Sequence, residues 1–291
     1  MQLSPNNELE SLRDKILEFV LNCQKIFGLS DELMAHQLQL SLKDFHLFKH
    51  QKEDIKIGKF EEFLKKLNVS ATSVFTDSVD YDQIFHHFYG NMSYLQTKYS
   101  IGASGRKRTI INILDYIEKT KGKLEKLRIL RRFQMSPYQF LDPDELINNN
   151  FIVDLFDQLL RDGYGLEDIV KMGEYSYDSI KGTDFGKKLE KQRNKKEVLE
   201  YIFVQAIDAF DNNFDYKIKR LNSAQCLLEV RQNEQVAAAM GKKKIGSFPL
   251  SISKIGVMST FARHIGQKDF KVELVRSAYN GQPCCEYLLD L

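Results

Sequence analysis

Cysteine is scarce in this chain and never arranged as a motif: Cys23, Cys226, Cys284 and Cys285 include no C-x-x-C spacing. That argues for reduced, buried thiols and against a disulfide framework. No apolar run approaches the ~18 residues of a membrane span, and no basic-then-apolar leader opens the chain. A cytoplasmic protein without a membrane partner is therefore expected. Net charge is nearly absent as well, at +2. So small an excess supports no global case for nucleic acid or membrane, and any basic surface must be local. GASGRKR at 102–108 and GKKKIG at 241–246 set glycine beside positive charge, yet neither has the spacing of a P-loop. No Ser/His/Asp arrangement and no paired-carboxylate signature is legible, so neither an enzyme nor a cofactor is expected. No repeat or low-complexity tract interrupts the chain.

What remains is a 291-residue chain, 43% hydrophobic and 28% charged, long enough for two ordinary domains. Leu9, Leu12, Ile16, Phe19, Cys23 and Ile26 recur at spacings of three and four, which predicts one face of a first helix. Ser30 offers an N-cap for a second helix over 31–38, and a third helix follows Ser41, turning Phe45 and Phe48 inward. A fourth over 58–67 buries Phe60, Phe63, Leu64 and Leu67, with Val69, Val74 and Phe75 as lids. An aromatic-rich connector follows, carrying Tyr81, Phe85, Phe88, Tyr89, Tyr94 and Tyr99.

Further on, Ile110, Ile113, Ile117, Leu124, Leu127 and Leu130 form an apolar stripe; this stripe and the aromatic connector at 81–99 are each either core or the surface of a homodimer. Asp142, Pro143 and Glu145 carry the pattern of a helix start, with the helix stopping before Gly163. Another helix is expected over 194–210. The last 80 residues change period: a hairpin over 216–232, a helix ending at Gly266, and a hairpin with Asn280–Gly281 at its turn. The fold class expected is a mainly α N-terminal helical bundle plus an α+β C-terminal domain with an antiparallel sheet. The expected boundaries are 1–78, a connector at 79–105, and 106–291.

Two stretches carry a resemblance. Gly28-Leu29-Ser30, Glu32, Ala35, Leu38 and Ser41, with FEEFLKKLNVSATSVF behind them, are similar to the Cro/lambda-repressor class of helix-turn-helix domains. The resemblance implies DNA as partner, with Leu42, Lys43, Asp44 and His46 at base edges and Lys49 and Lys52 at phosphates. Asp31 stands where that class has a phosphate-contacting glutamine, and Gln39 where it has a turn glycine. No arginine occurs between Arg13 and Arg106. A helix-turn-helix turned to protein contacts is therefore the alternative, although the basic stretch from Lys119 to Arg132 could supply phosphate contacts. The closing segment, with Gly281, Cys284, Cys285 and Tyr287, resembles 4-vinyl-reductase and haem-nitric-oxide-related sensor domains. What that implies is a small-molecule sensor.

Phe203, Ile207, Phe248, Ile252, Val257 and Phe261 can enclose a pocket between the sheet and the helix over 251–265, with Gly256 on the inner face; the alternative is that these side chains fill each other's space and the nearby lysines simply face water. Lys242, Lys243 and Lys244 lie on a glycine-flanked loop that could close over such a pocket and favour a small apolar ligand with an anionic end. Cys284 and Cys285 should face opposite ways, one core and one near the surface, so zinc held by them with Cys226 and Glu286 would need a bulge; no metal site is expected. The whole reads as a one-component transcriptional regulator, or else as a signalling adaptor.

Overall fold

The computed structural model describes residues 5–89, 97–207 and 211–291; the side chains of Leu9, Tyr89, Tyr94 and Phe210 lie outside what is described. The chain is mixed α+β and divides into two compact units, Met1–Tyr94 with Ile117–Leu141 and Leu95–Tyr116 with Asp142–Leu291. This division differs from boundaries at 78 and 105.

The first unit is helical. Helix α1 (Pro5–Phe27) buries Phe19, Val20, Cys23 and Ile26, while Leu12 stays largely exposed. Ser30 caps α2 (Asp31–Gln37) by accepting from the Leu33 amide, and Ser41 caps α3 (Leu42–Lys49) by accepting from the Asp44 amide. Each hydroxyl satisfies an amide that the first helical turn leaves without a partner. The turn between them passes through Gln39 at φ +56°. The left-handed backbone usually given to glycine is present, carried by a side chain that donates to Glu62 Oε2 at 2.5 Å.

Helix α4 (Ile57–Leu67) drives Phe60 and Phe63 edge-on against Phe19, each at 6.1 Å between ring centres. Short α5 (Ala71–Phe75) follows, then α6 (Tyr81–Tyr89). Ile84 and Phe85 of α6 are buried in this core, so the front of the expected connector is an integral helix of the bundle. The helix Lys123–Arg132 adds Leu127 to the same core. Its Arg131 donates to the carbonyls of Lys25 and Ile26, closing the C-terminal end of α1.

Most of the remaining basic stretch is also occupied. Lys126 meets Glu118 at 2.6 Å, Arg128 meets Glu125 at 2.5 Å, and Lys123 meets Asp82 at 3.1 Å. Ile110, Ile113, Ile117, Leu127 and Leu130 are all buried. Leu124 is half-buried; the other five positions of the apolar stripe are core and are not available as a homodimer surface.

The second unit carries both sheets. A two-residue ladder pairs β1 (Gly105–Arg106) with β2 (Leu146–Ile147). The expected helix start at Asp142 is absent for that reason. Asp142 accepts from the Asp144 amide in a turn, the Glu145 carbonyl accepts from the Lys107 amide, and the helix begins only at Asn150. Long-range pairing overrides the local capping pattern. The helix Asn150–Arg161 then ends before Gly163 as expected.

Strands β3 (Phe214–Leu221), β4 (Gln225–Gln232), β5 (Lys271–Arg276) and β6 (Cys285–Asp290) form an antiparallel sheet in the order β3-β4-β6-β5. Its register sets Cys226 opposite Leu289, Leu228 opposite Tyr287 and Val230 opposite Cys285, all buried. The helix Phe248–Ser259 covers that face, and Tyr287 donates to the Ser251 carbonyl at 3.0 Å. Of the expected 194–210 helix, Lys195–Glu200 is regular, Tyr201–Gln205 widens to a π-turn, and residues 208–210 lie outside the described residues. No helix among the described residues is long and apolar enough to cross a membrane.

Candidate functional site

A cavity of about 590 Å³ opens in the second unit, within the size range of small-molecule sites. Its wall is built mainly by helices. Asn112 and Ile113 come from Arg108–Lys121, Ile152 and Phe156 from Asn150–Arg161, Met172 and Gly173 from Leu166–Glu174, and Ser253, Lys254 and Val257 from Phe248–Ser259. Of the four-stranded sheet, only β3 contributes, through Phe214 and Tyr216. Two helices of the wall cross unusually closely: a Cβ on Gly256 would lie 1.9 Å from the Val170 carbonyl oxygen, and one on Gly173 would lie 2.1 Å from that of Ser253. Gly256 is a packing position, against the expectation that it faces the cavity.

One wall holds a buried polar cluster. Lys254 is 9% exposed in an otherwise apolar helix. Its ammonium contacts Asp211 Oδ2 at 2.6 Å, donates to the Tyr216 hydroxyl, and sits 4.1 Å from the Phe214 ring centre. Tyr216 in turn donates to Asp211 at 2.7 Å. Burial pushes the Asp211 carboxyl up, but the Lys254 charge and the bonds from Lys254, Tyr216 and the Asn213 amide outweigh it and hold it below the usual range. Burial, followed by the Asp211 charge, pushes the Tyr216 phenol well up.

Also in the lining, Arg106 and Arg108 share Asp144, at 3.0 and 2.8 Å. Two wall groups are left unsatisfied: Asn149 Nδ2 and Ser176 Oγ have no hydrogen-bond partner, in residues 3% and 6% exposed.

Of the residues expected around a pocket, Val257 lines this cavity. Phe203 stacks behind Tyr216 at 5.5 Å, and Phe261 meets Phe203 edge-on at 6.3 Å. Ile207, Phe248 and Ile252 are half-buried and line neither this cavity nor the smaller one described next. Lys243 and Lys244 line a second cavity of about 320 Å³, while Lys242 is exposed beside it. The glycine-flanked loop is pinned rather than free. Ile245 is buried, its amide donates to Gln232, and its carbonyl accepts from Tyr279 at 2.6 Å.

Arg108, Asn149, Ser176, Asp211, Tyr216 and Lys254 are absent from the sequence expectation. Only Lys254 left a local signal, as one cation in the apolar run FPLSISKIGVMS, where burial demands a partner.

The cysteines differ from expectation in one respect: both Cys284 and Cys285 are buried. Cys285 faces the core side of the sheet, and Cys284 lies against Glu229. Glu229, Cys284 and Glu286 place ligand atoms within 4.8 Å of one another, but Cys226 is not among them. Both carboxylates are already occupied, Glu229 by Arg231 and Lys219, and Glu286 by Arg276.

In the first unit, Leu42, Lys43, Asp44, His46 and Lys52 are exposed on or just beyond α3, and Lys49 is half-buried. Asp31 engages two of them, Lys49 at 2.8 Å and His46 at 3.1 Å, and accepts from Gln24 at 2.7 Å. The Lys49 bond, followed by that from Gln24, holds the Asp31 carboxyl down at about 2. The carboxylate thus clamps α1, α2 and α3 together and consumes charge that α3 would otherwise present.

No family model matches the sequence, and no curated protein matches it. Two solved structures show a likeness to part of this chain, an Fe(II) unliganded H-NOX protein from K. algicida and its A71G mutant. The mutant aligns with a TM-score of 0.46 and the parent with 0.44, each at 10% identity over 64% of this chain and 96% of the other. Among the described residues that line the larger cavity there is neither histidine nor cysteine, its one phenol, Tyr216, is bound to Asp211 and Lys254, and its sulfur atoms are those of Met172 and Met258.

Proposed function

We propose that the chain is a ligand-responsive regulator. Its α+β unit binds a small molecule in the 590 Å³ cavity, and its helical unit uses α2 and α3 as a helix-turn-helix on DNA. One observation carries the ligand reading: Asn149 and Ser176 leave buried polar groups unsatisfied in a cavity wall, where a folded protein ordinarily satisfies them. A ligand that binds only the folded state raises the melting temperature with its concentration. Screening uncharged and carboxylate-bearing small molecules by thermal shift should find one that does so. A screen without a single concentration-dependent rise overturns the ligand reading.

The DNA reading rests on the exposed set Leu42, Lys43, His46 and Lys52. Fluorescence anisotropy with genomic fragments should show affinity falling steeply with salt, and Lys43→Ala should reduce the salt slope by about one. A second reading has support of its own. Asp31 holds Lys49 and His46, and Leu33 and Ile57 are exposed apolar residues of the same unit, as suits a protein-docking face. Asp31→Gln separates the two. On the DNA reading it tightens binding by releasing Lys49, while costing up to about 1 kcal/mol of stability. If DNA binding is absent in both forms, the protein-docking reading stands.

A further inference from the structure

We infer that the cavity selects an uncharged amphipathic ligand presenting a carbonyl oxygen, such as a lactone, ester or ketone, and not an anion; this rests on the ligand-binding reading above. The inference starts from charge. Three cations reach the wall, Lys254, Arg106 and Arg108, and three carboxylates balance them: Asp211 lies 2.6 Å from Lys254, Asp144 is shared by Arg106 and Arg108 at 3.0 and 2.8 Å, and Asp184 is the third. A carboxylate ligand would lose its water and gain no net counter-charge, which is unfavourable away from water. The lysines of the 242–244 loop do not alter this, because none of them lines this cavity.

The groups that lack a partner are neutral. Asn149 Nδ2 is a donor with no acceptor, and Ser176 Oγ can donate or accept. The placement of Asn149 is specific. It occupies the N-cap position of Asn150–Arg161 but makes no capping bond, while its neighbour Asn148 accepts from the Asn150 amide at 2.8 Å. Asn148 supplies the side-chain bond at this helix start, and Asn149 Nδ2 is left without a partner. Asn112, 6% exposed, adds a third buried polar residue to the same wall. Ile113, Ile152, Phe156, Met172 and Val257 supply apolar surface in the same wall. Unpartnered amide and hydroxyl groups beside apolar side chains recognise a carbonyl oxygen on a hydrocarbon body. A site built to bond such an oxygen discriminates strongly against an analogue lacking it, because its own groups are then left unpaired.

The test uses the whole chain and three probes of similar bulk: γ-decalactone, its ring-opened 4-hydroxydecanoate, and n-butylbenzene, which has no acceptor. Isothermal titration should give the lactone an affinity at least about tenfold above both others. Asn149→Leu should abolish that preference while leaving the melting temperature of the free protein unchanged or raised, since it removes an unsatisfied buried amide. Ser176→Ala should weaken the lactone with the same lack of cost. If 4-hydroxydecanoate binds as tightly as the lactone, the neutral-ligand inference fails and the ligand-binding reading survives. If n-butylbenzene matches the lactone, or Asn149→Leu leaves the preference intact, the carbonyl assignment fails on its own. If none of the three binds and Asn149→Leu destabilises the free protein, the amide is structural and the inference is overturned.

Discussion

Gly256→Val should lower the stability of the protein by about 3 kcal/mol or more, a fall of roughly 10 °C in melting temperature for a unit of this size. The reason is geometric. Even the first carbon of a side chain at Gly256 would lie 1.9 Å from the Val170 carbonyl oxygen and 2.9 Å from the Glu174 amide nitrogen. Both obstacles are backbone, which cannot rotate aside as a side-chain end does. The helices Leu166–Glu174 and Phe248–Ser259 would have to separate, opening a core that runs from Met172 to Met258. Gly256→Ala should already show most of the loss. Gly58→Ala is the control: nothing lies within 4 Å of its Cβ, its backbone is helical, and the change should be neutral or slightly stabilising. Equal melting temperatures for Gly256→Ala and the parent would mean that the two helices do not cross as described.

Lys254→Met should be nearly as damaging, by about 3–5 kcal/mol at neutral pH, because it strands the Asp211 carboxylate in the interior. The double variant Lys254→Met/Asp211→Leu should recover a large part of that loss. The two forms also differ in their pH dependence. In the parent, Asp211 is held below its usual value by Lys254 and its hydrogen bonds, against the opposing effect of burial. Its contribution is fully present above the unfolded carboxyl value of about 3.9 and is lost as pH falls through the lower folded value. In Lys254→Met only burial remains dominant, so the carboxyl rises and takes up a proton at higher pH than in the unfolded chain. The deficit of the variant should therefore shrink as the solution is acidified from neutrality towards pH ~4. Urea titrations across that range measure it, and a deficit that stays constant would remove the ion pair from the account.

Local chemistry was legible where the solution is local. Ser30 and Ser41 cap the helices they precede, and the Asn280–Gly281 turn leads into β6, with Gly281 at φ +84°. The apolar face of the Phe248–Ser259 helix and the stop at Gly266 are likewise where period and glycine place them. What the sequence concealed depends on distant partners. Asp142, Pro143 and Glu145 have the composition of a helix start, yet Arg106 and Arg108 draw Asp144 into an ion pair and β1 pairs with β2. Lys254 and Asp211 lie 43 positions apart, so no spacing rule joins them. The cavity itself is a consequence of which helix faces fail to meet, and periodicity reports only that a face is apolar. The expected lining was chosen from apolar side chains; the side chains that distinguish this wall are Asn149, Ser176 and Lys254.

Lys254 belongs to the walls of both cavities, together with Phe214 and Leu250. It is a single side chain shared between two compartments, with its ammonium bound to Asp211 and Tyr216 of the larger one. A guest that draws it towards the smaller cavity weakens its hold on Asp211 and changes the polarity that the larger one offers. Reciprocity then follows from thermodynamics: whatever factor one guest applies to the affinity of the other, the other returns unchanged.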